Sequence, residues 1–417
     1  MNGLDLVAEA EAARREVQRG RARQALGVSI AVTAVWAVWV TAAGHWDRIA
    51  DQWAAAVTMV FGSFVAGSTP QGGGAVAFPV FTKLLDVPAE VARSFSLSIQ
   101  TVGMGTATAA ILLRRRAVQW RLVAISVPAA VVAFAVVAWF GGDGDAPFRP
   151  SVLPGAYVKV TFTLVLAAMA LVVVLGRRVP VRVIEQDVDD IGSRLVVAGL
   201  VAGAIGGAAS ALVGSGADVV TYLLVVVLVG LDPRIGVPTS VVAMTAVSVT
   251  GFVLLGLVDG HLSIELTDGM VTAVGDVVPD EPLDAGRADL FGLWLAAMPV
   301  VAWGAPLGSA VAARLSVRHL VWLVVGLAVA ETISTIVFLD ELRTDAGLAA
   351  YAVVGAVVAT GGLLLAVRHR LWLLGLPAFD RGRTYRRSDV EIDADYADHL
   401  DADHHLDPAD VPEDRHP

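Results

Sequence analysis

Apolar residues in this chain come in long uncharged runs rather than in alternation. Ala25–Ala43, Phe95–Leu113, Leu122–Gly141, Gly236–Val258, Leu290–Ala313 and Ala346–Val367 contain no charged residue, and each is about as long as a helix needs to cross a bilayer. Gly155–Gly176 carries only Lys159, and His319–Leu339 only Glu331. The pattern predicts about eight full transmembrane helices. A membrane barrel would instead show segments of roughly ten residues with alternating hydrophobicity.

Two further apolar segments are broken by glycine. Trp53–Thr82 lacks any charge and is interrupted by Gly72-Gly73-Gly74, while Leu195–Gly230 is interrupted at Gly214-Ser215-Gly216. The first is too long for one straight span and too short for two with a turn. Irregular backbone at membrane depth survives only where protein or a water-filled cavity surrounds it. Gly-broken apolar segments are therefore pointers to a transporter binding site. Both are read as helical hairpins, over 53–86 and 195–230. Length favours half-helices for the first only, because Leu195–Gly216 can span alone.

Arg and Lys placement sets the orientation. If both hairpins return to the side they entered from, 23 Arg fall in the cytoplasm and six basic residues (Arg48, Lys83, Arg93, Arg149, Arg287, Arg343) fall outside. If both cross once, the split weakens to 18 against 11. Returning hairpins are predicted, the first inserting from outside and the second from the cytoplasm. Opposite insertion makes the fold an all-α polytopic membrane protein of two inverted-topology repeats. Its expected divisions are an Arg-rich cytoplasmic leader (1–24), a first half (25–176), a cytoplasmic linker (177–194), a second half (195–367) with an external acidic loop (259–289), and a cytoplasmic tail (368–417). The expected location is the cell membrane, with both termini cytoplasmic. Thr41-Ala42-Ala43 resembles a signal-cleavage region, but the long leader and the 19-residue run after it fit a retained first span better.

Composition agrees: 56% of residues are hydrophobic and 17% charged, far from a soluble domain. Cysteine is absent, which excludes disulfides, thiolate metal sites and cysteine nucleophiles. Ser388–Pro417 holds eleven acidic residues and one Arg, equal to the whole net charge of −10. The remainder is formally neutral, and the tail reads as solvated and disordered, its His399, His404 and His405 included. No cofactor, metal or nucleic-acid partner is expected.

The two halves carry similar texts, GSFVAGSTPQGGGAVAFPVFTKLLDVPAEVARSFSLS and GAASALVGSGADVVTYLLVVVLVGLDPRIGVPTSVV. Each gives small residues, a glycine break, a short apolar stretch, an Asp/Pro turn and a Ser/Thr-opened span. On Gly72-Gly73-Gly74, Pro79, Pro88 and Ser94-Phe95-Ser96, then Gly214-Ser215-Gly216, Leu231-Asp232-Pro233 and Thr239-Ser240, and finally Gly304-Ala305-Pro306-Leu307-Gly308, the chain resembles the sulfite exporter TauE/SafE family of membrane transporters. The likeness covers roughly Met59 to Val367. It departs where Arg93 and Pro238 replace the glycine before the hydroxyl pair. The resemblance implies secondary transport of sulfite, a sulfonate or a related small organosulfur anion, and no enzymatic activity.

The residues support an anion on their own terms. A half-helix starting at Gly74 or Ala217 offers free N–H groups and a positive dipole end, and glycine lets an oxyanion approach closely. The candidate substrate-binding set is Gln71, Gly72, Gly73, Gly74, Ser94, Ser96, Gly214, Ser215, Gly216, Thr239 and Ser240. The bland reading of each hydroxyl is a cap or a back-bond to its own helix. Glu331, near mid-span, and Asp218, just past the second break, are candidates for a coupling proton or Na⁺, since intramembrane charge is expensive. Either acid could equally be a structural group. Two other readings stay open: the same fold carrying another small anion, and a membrane scaffold or sensor signalling through its acidic tail.

Overall fold

The computed structural model describes residues 3–140, 148, 153–176, 193–229, 231 and 233–368. All of the linker but Ser193 and Arg194, and the whole acidic tail, lie outside the described residues. The helices, in order, are α1 (Gly3–Ala43), α2 (Trp46–Asp51), α3 (Trp53–Ser68), α4 (Gly74–Lys83), α5 (Ala89–Leu113), α6 (Trp120–Phe140), α7 (Gly155–Gly176), α8 (Ser193–Val213), α9 (Ala217–Tyr222), α10 (Pro233–Gly251), α11 (Ala285–Ala288), α12 (Leu290–Ala312), α13 (Val317–Phe338), α14 (Glu341–Thr344) and α15 (Ala346–Arg368). Both α9 and α10 run on as π-helical stretches, to Leu228 and Val258. Among the described residues eight helices are long and apolar enough to cross a membrane, and α8 is one of them. The chain is a helical multi-pass membrane protein.

Two features add to the sequence reading. The Arg-rich leader is continuous with the first span in one helix, α1. The acidic loop contains an antiparallel sheet, β1 (Ile264–Thr267), β2 (Met270–Val274) and β3 (Leu283–Asp284), in the order β1-β2-β3. Asp268 and Gly269 join β1 to β2 with φ of 50° and 77°. Two positive φ values make a type I′ turn, which matches the twist of the flanking strands.

Each broken segment returns to its starting end. The first hairpin, α3 and α4, begins where Arg48 pairs with Asp289 and the Gln52 amide donates to Ala285 O, and just beyond its end Asp86 lies 3.6 Å from Arg287. Both ends are thus fixed to one short segment, 285–289. The second hairpin, α8 and α9 with its π extension, starts at Leu195 and finishes at Val229 and Leu231, which share an apolar cluster with Leu122. Leu122 opens α6, beyond the far end of α5. The two hairpins therefore enter from opposite ends of the bundle. Their outbound arms are short, 10 residues in α4 and 12 over Ala217–Leu228, or about 15–18 Å, half a hydrocarbon core.

Close backbone approach holds the inbound arms. A Cβ on Gly203 or Gly207 of α8 would strike the Ser126 or Ala130 carbonyl of α6, and one on Gly67 of α3 would strike Ala305 of α12. Small residues at such crossings let helices pack through van der Waals contact where lipid offers no hydrophobic drive.

The outbound arm α4 is anchored differently. Lys83 Nζ at its end lies 2.8 Å from Glu331 Oε1 of α13, from Ser334 Oγ and from Thr335 Oγ1. Thr163 of α7 also donates to Glu331 Oε1, at 2.9 Å. Both charged side chains are nearly sealed from solvent. Lys83 and Arg93, assigned to outer loops by the charge count, are both buried. Glu331 is thus satisfied by an ion pair and three hydroxyls, the arrangement expected of the structural alternative for this acid.

Two stability measurements follow, both by thermal unfolding in detergent. Gly207→Ala should destabilise by about 1–3 kcal/mol through overpacking, whereas Gly105→Ala, which meets nothing within 4 Å, should be neutral or gain up to about 1 kcal/mol. Lys83→Met or Glu331→Leu alone should cost about 3–5 kcal/mol by stranding one buried charge, and the double variant should recover most of it.

Candidate functional site

The two glycine breaks meet. At the first, Gly72 takes φ 66°, which ends α3's direction and starts α4. At the second, Gly214 takes φ 76° and Gly216 φ 141°, conformations that side chains other than glycine's rarely adopt. A Cβ on Gly72 would collide with Asp218 Oδ2 and sit 3.3 Å from Ser215 Oγ and 3.5 Å from Gln100 Oε1. One on Gly74 would lie 3.1 Å from Ser215 Cβ and 3.4 Å from the hydroxyls of Ser215 and Ser96. Glycine is required here because the opposing hairpin occupies the space where a side chain would go. Ser68, Thr69, Gln71, Ser215 and Asp218 are all buried.

Helix α5 braces the second tip. Ser96 Oγ donates to Gly214 O at 3.0 Å, and Gln100 Nε2 donates to the same carbonyl at 3.0 Å and to Ser96 Oγ at 2.8 Å. A Cβ on Gly214 would strike Arg93 O, so the backbone of α5 itself abuts the turn. Arg93 Nη1 reaches Ala211 O, one turn before the break, at 3.5 Å. Gln100 and Arg93 are absent from the sequence-derived set. A polar residue four positions after Ser96, on the same face of a transmembrane helix, was the available signal.

The tips are chemically unlike. At the second, the N–H groups that start α9 are taken: Asp218 Oδ1 accepts from Gly216 N at 3.2 Å and Val219 N at 2.9 Å, and Ser210 Oγ accepts from Ala217 N at 3.0 Å. Ser215 Oγ lies 3.5 Å from the same carboxylate oxygen. The protein's own carboxylate thus caps this helix, so Gly216 and Ala217 offer no open anion cradle. At the first tip, Val76 and Ala77 N donate to Gly73 O, and Gln71 N donates to Thr69 Oγ1. Among the described residues no side chain caps α4, which follows a turn over residues 70–73. The uncapped helix start belongs to the first tip, and the capping carboxylate to the second.

Other candidates lie apart from this joint. Ser94 bonds His261 Nδ1 at 3.0 Å, in the turn that leads to the sheet. Its neighbour Ser96 reaches the tip because positions two apart on a helix face different ways. Thr239 accepts from Gln119 N and donates to Ile235 O, at the end where α6 starts. Ser240 back-bonds to Val237 O. Gln71 is buried beside the break, but its amide nitrogen turns to Val324 O of α13. Gly73 packs on Met59 and Ala66 rather than on the second tip. Glu331 pairs with Lys83, nine residues or about 13 Å along α4 from Gly74. Among the described residues no cluster of three or more His, Asp or Glu could hold a metal ion.

The joint is closed. A cavity of about 250 Å³ opens elsewhere, at the end of the bundle where α5 and α12 finish, between Ile111, Arg116, Arg234, Pro238 and Ser309.

Neither the curated proteins nor the solved structures contain a match to this chain. The description of the sulfite exporter TauE/SafE family, by contrast, matches residues 54–335, which runs from the start of α3 to the Glu331 cluster on α13 and takes in both hairpins. With two glycine-broken hairpins meeting tip to tip inside that matched stretch, the chain belongs to the sulfite exporter TauE/SafE family and is a membrane transporter rather than an enzyme.

Proposed function

We propose that this transporter carries a small oxyanion, sulfite or an organosulfonate first, by alternating access of two inverted repeats. The carrying observation is the asymmetric joint. A ten-residue half-helix begins at Gly74 without a side-chain cap among the described residues, and the Ser215 hydroxyl of the opposite hairpin faces it. Backbone amides at a helix start bind sulfate-like oxygens without placing a cationic side chain in the membrane. Ser96 is committed to Gly214 O at 3.0 Å, whereas Ser215 makes only the long 3.5 Å contact to Asp218 Oδ1 and is the adjacent side chain able to turn toward an anion. The anion reaches these groups only when the tips part, and their contact separates the two aqueous sides.

Orientation in this reading follows the Arg distribution, with both termini in the cytoplasm of a cell-membrane protein. The Arg116–Arg234 cavity then opens to the cytoplasm and concentrates anions at that mouth. The family's description favours sulfite. Another small organic or inorganic anion would use the same donors, and competition among sulfite, sulfonates and carboxylates separates them. The scaffold alternative rests on residues 388–417: deleting them should leave flux intact in a transporter.

In proteoliposomes, anion flux should fall about tenfold or more in Gly72→Val, because a side chain there drives the tips apart; about 1.4 kcal/mol suffices. Gly326→Ala, which meets nothing within 4 Å, should keep the wild-type rate. Equal rates in wild type and Gly72→Val would remove the joint from the transport path.

A further inference from the structure

Three buried side-chain oxygens near the breaks have no hydrogen-bond donor: Gln71 Oε1, Gln100 Oε1 and Asp218 Oδ2. Two of them face the same glycine, since a Cβ on Gly72 would touch Asp218 Oδ2 and lie 3.5 Å from Gln100 Oε1. The orientation of the Gln100 amide follows from chemistry. Its nitrogen donates to Gly214 O, and a carbonyl only accepts, so the oxygen must point the other way, into the joint. Asp218 is equally constrained. Its Oδ1 takes two backbone N–H groups, which leaves Oδ2 toward Gly72.

Two acceptors facing one point, with neither bonded, is a costly arrangement in a dry interior. A bare carboxylate would add an uncompensated charge. Charged groups on the packed elements are turned elsewhere. On α5, Arg93 reaches Ala211 O and Glu90 sits one turn nearer the end. Lys83 at the far end of α4 is paired with Glu331 of α13. Arg194 on α8 and Arg234 on α10 lie at the opposite ends of their helices. A metal cation would need several more oxygens, six or so for hard ions, and the space beside Gly72 does not admit even a methyl group. One hydrogen on Asp218 Oδ2 converts it from acceptor to donor on the side of Gly72 that Gln100 Oε1 also faces.

We propose that Asp218 carries a coupling proton, held where the second hairpin meets Gly72 of the first and Gln100 of α5. This rests on the transport reading and deepens it. The proton is taken up from water, together with the anion, while the tips are parted toward one side, and both leave when the tips part toward the other. Protonation also removes the negative charge that would repel an anion from the start of α4, so one proton travels with one anion. Asp218 Oδ1 keeps its capping bonds in either state, so the helix end survives the cycle.

The test uses full-length protein in vesicles with a sulfonate, which has no titratable proton of its own near neutral pH, and a pH-sensitive dye inside. Wild type should take up protons together with the sulfonate and accumulate it about tenfold per unit of pH difference, the limit for one-to-one coupling. In Asp218→Asn the pH-driven accumulation should vanish, and whatever flux remains should lose its pH dependence. Flux in wild type without proton movement, accumulation driven by a Na⁺ gradient instead, or a pH-driven Asp218→Asn would each overturn the proposal while leaving transport standing. Absence of flux with any anion would strike the transport reading itself. Infrared spectra then decide the proton separately. The other buried acids among the described residues, Asp289 and Glu331, are ion-paired, so a protonated-carboxyl band in wild type at neutral pH belongs to Asp218. Its presence supports the proposal, and its absence overturns it.

Discussion

Backbone that leaves a helix inside a membrane must find polar partners within the protein, and this structure meets that demand at one place. Gly214 O, exposed by the second break, takes hydrogen bonds from Ser96 and Gln100 of α5. The amides beyond it fold onto Asp218 and Ser210. Gly72 then seats against Asp218 with no side chain between. Moving either tip exposes these groups unless water or an anion replaces the lost partner. A bundle built this way has a discrete closed arrangement at its centre, and the opening of that contact is the event a carrier must control.

The surrounding architecture keeps the contact in register. Glycines 203 and 207 lock α8 to α6, and Gly67 locks α3 to α12, so both inbound arms are held by rigid backbone approach. Lys83 ties the end of α4 to α13 and α7 through Glu331 and Thr163. Between these fixed ends, the tips are joined across the hairpin-to-hairpin boundary mainly by packing. Polar bonds run from α5 to the second tip, whereas the first tip lacks a side-chain cap. The geometry thus places the side-chain hydrogen bonds on one hairpin and the uncapped helix start on the other.

Much of this was legible in the chain. Uncharged runs announced the spans, and glycine interruptions marked the two turns, because few other features explain Gly-Gly-Gly in an apolar segment. What escaped were properties set by tertiary neighbours. Ser94 and Ser96 look equivalent in sequence, yet their separation by two residues sends one to His261 and the other to Gly214. Lys83 and Glu331 are 248 positions apart, so no local pattern could pair them. Asp218 follows the break closely enough to suggest capping, but that its second oxygen would face Gly72 required the opposite hairpin. The Asp268-Gly269 pair is a hairpin signal readable in the sequence.

Because the chain has no native cysteine, the contact itself can be interrogated covalently. The Gly74 Cβ position and Ser215 Cβ are 3.1 Å apart, so a parting of under about 1 Å brings them to the roughly 3.5–4.5 Å of a disulfide. Gly74→Cys combined with Ser215→Cys should cross-link on oxidation, read by mass spectrometry of the digested protein, and the cross-linked form should carry no anion flux. Failure to cross-link in the folded protein, or undiminished flux through the cross-linked form, would contradict a joint that must open for transport.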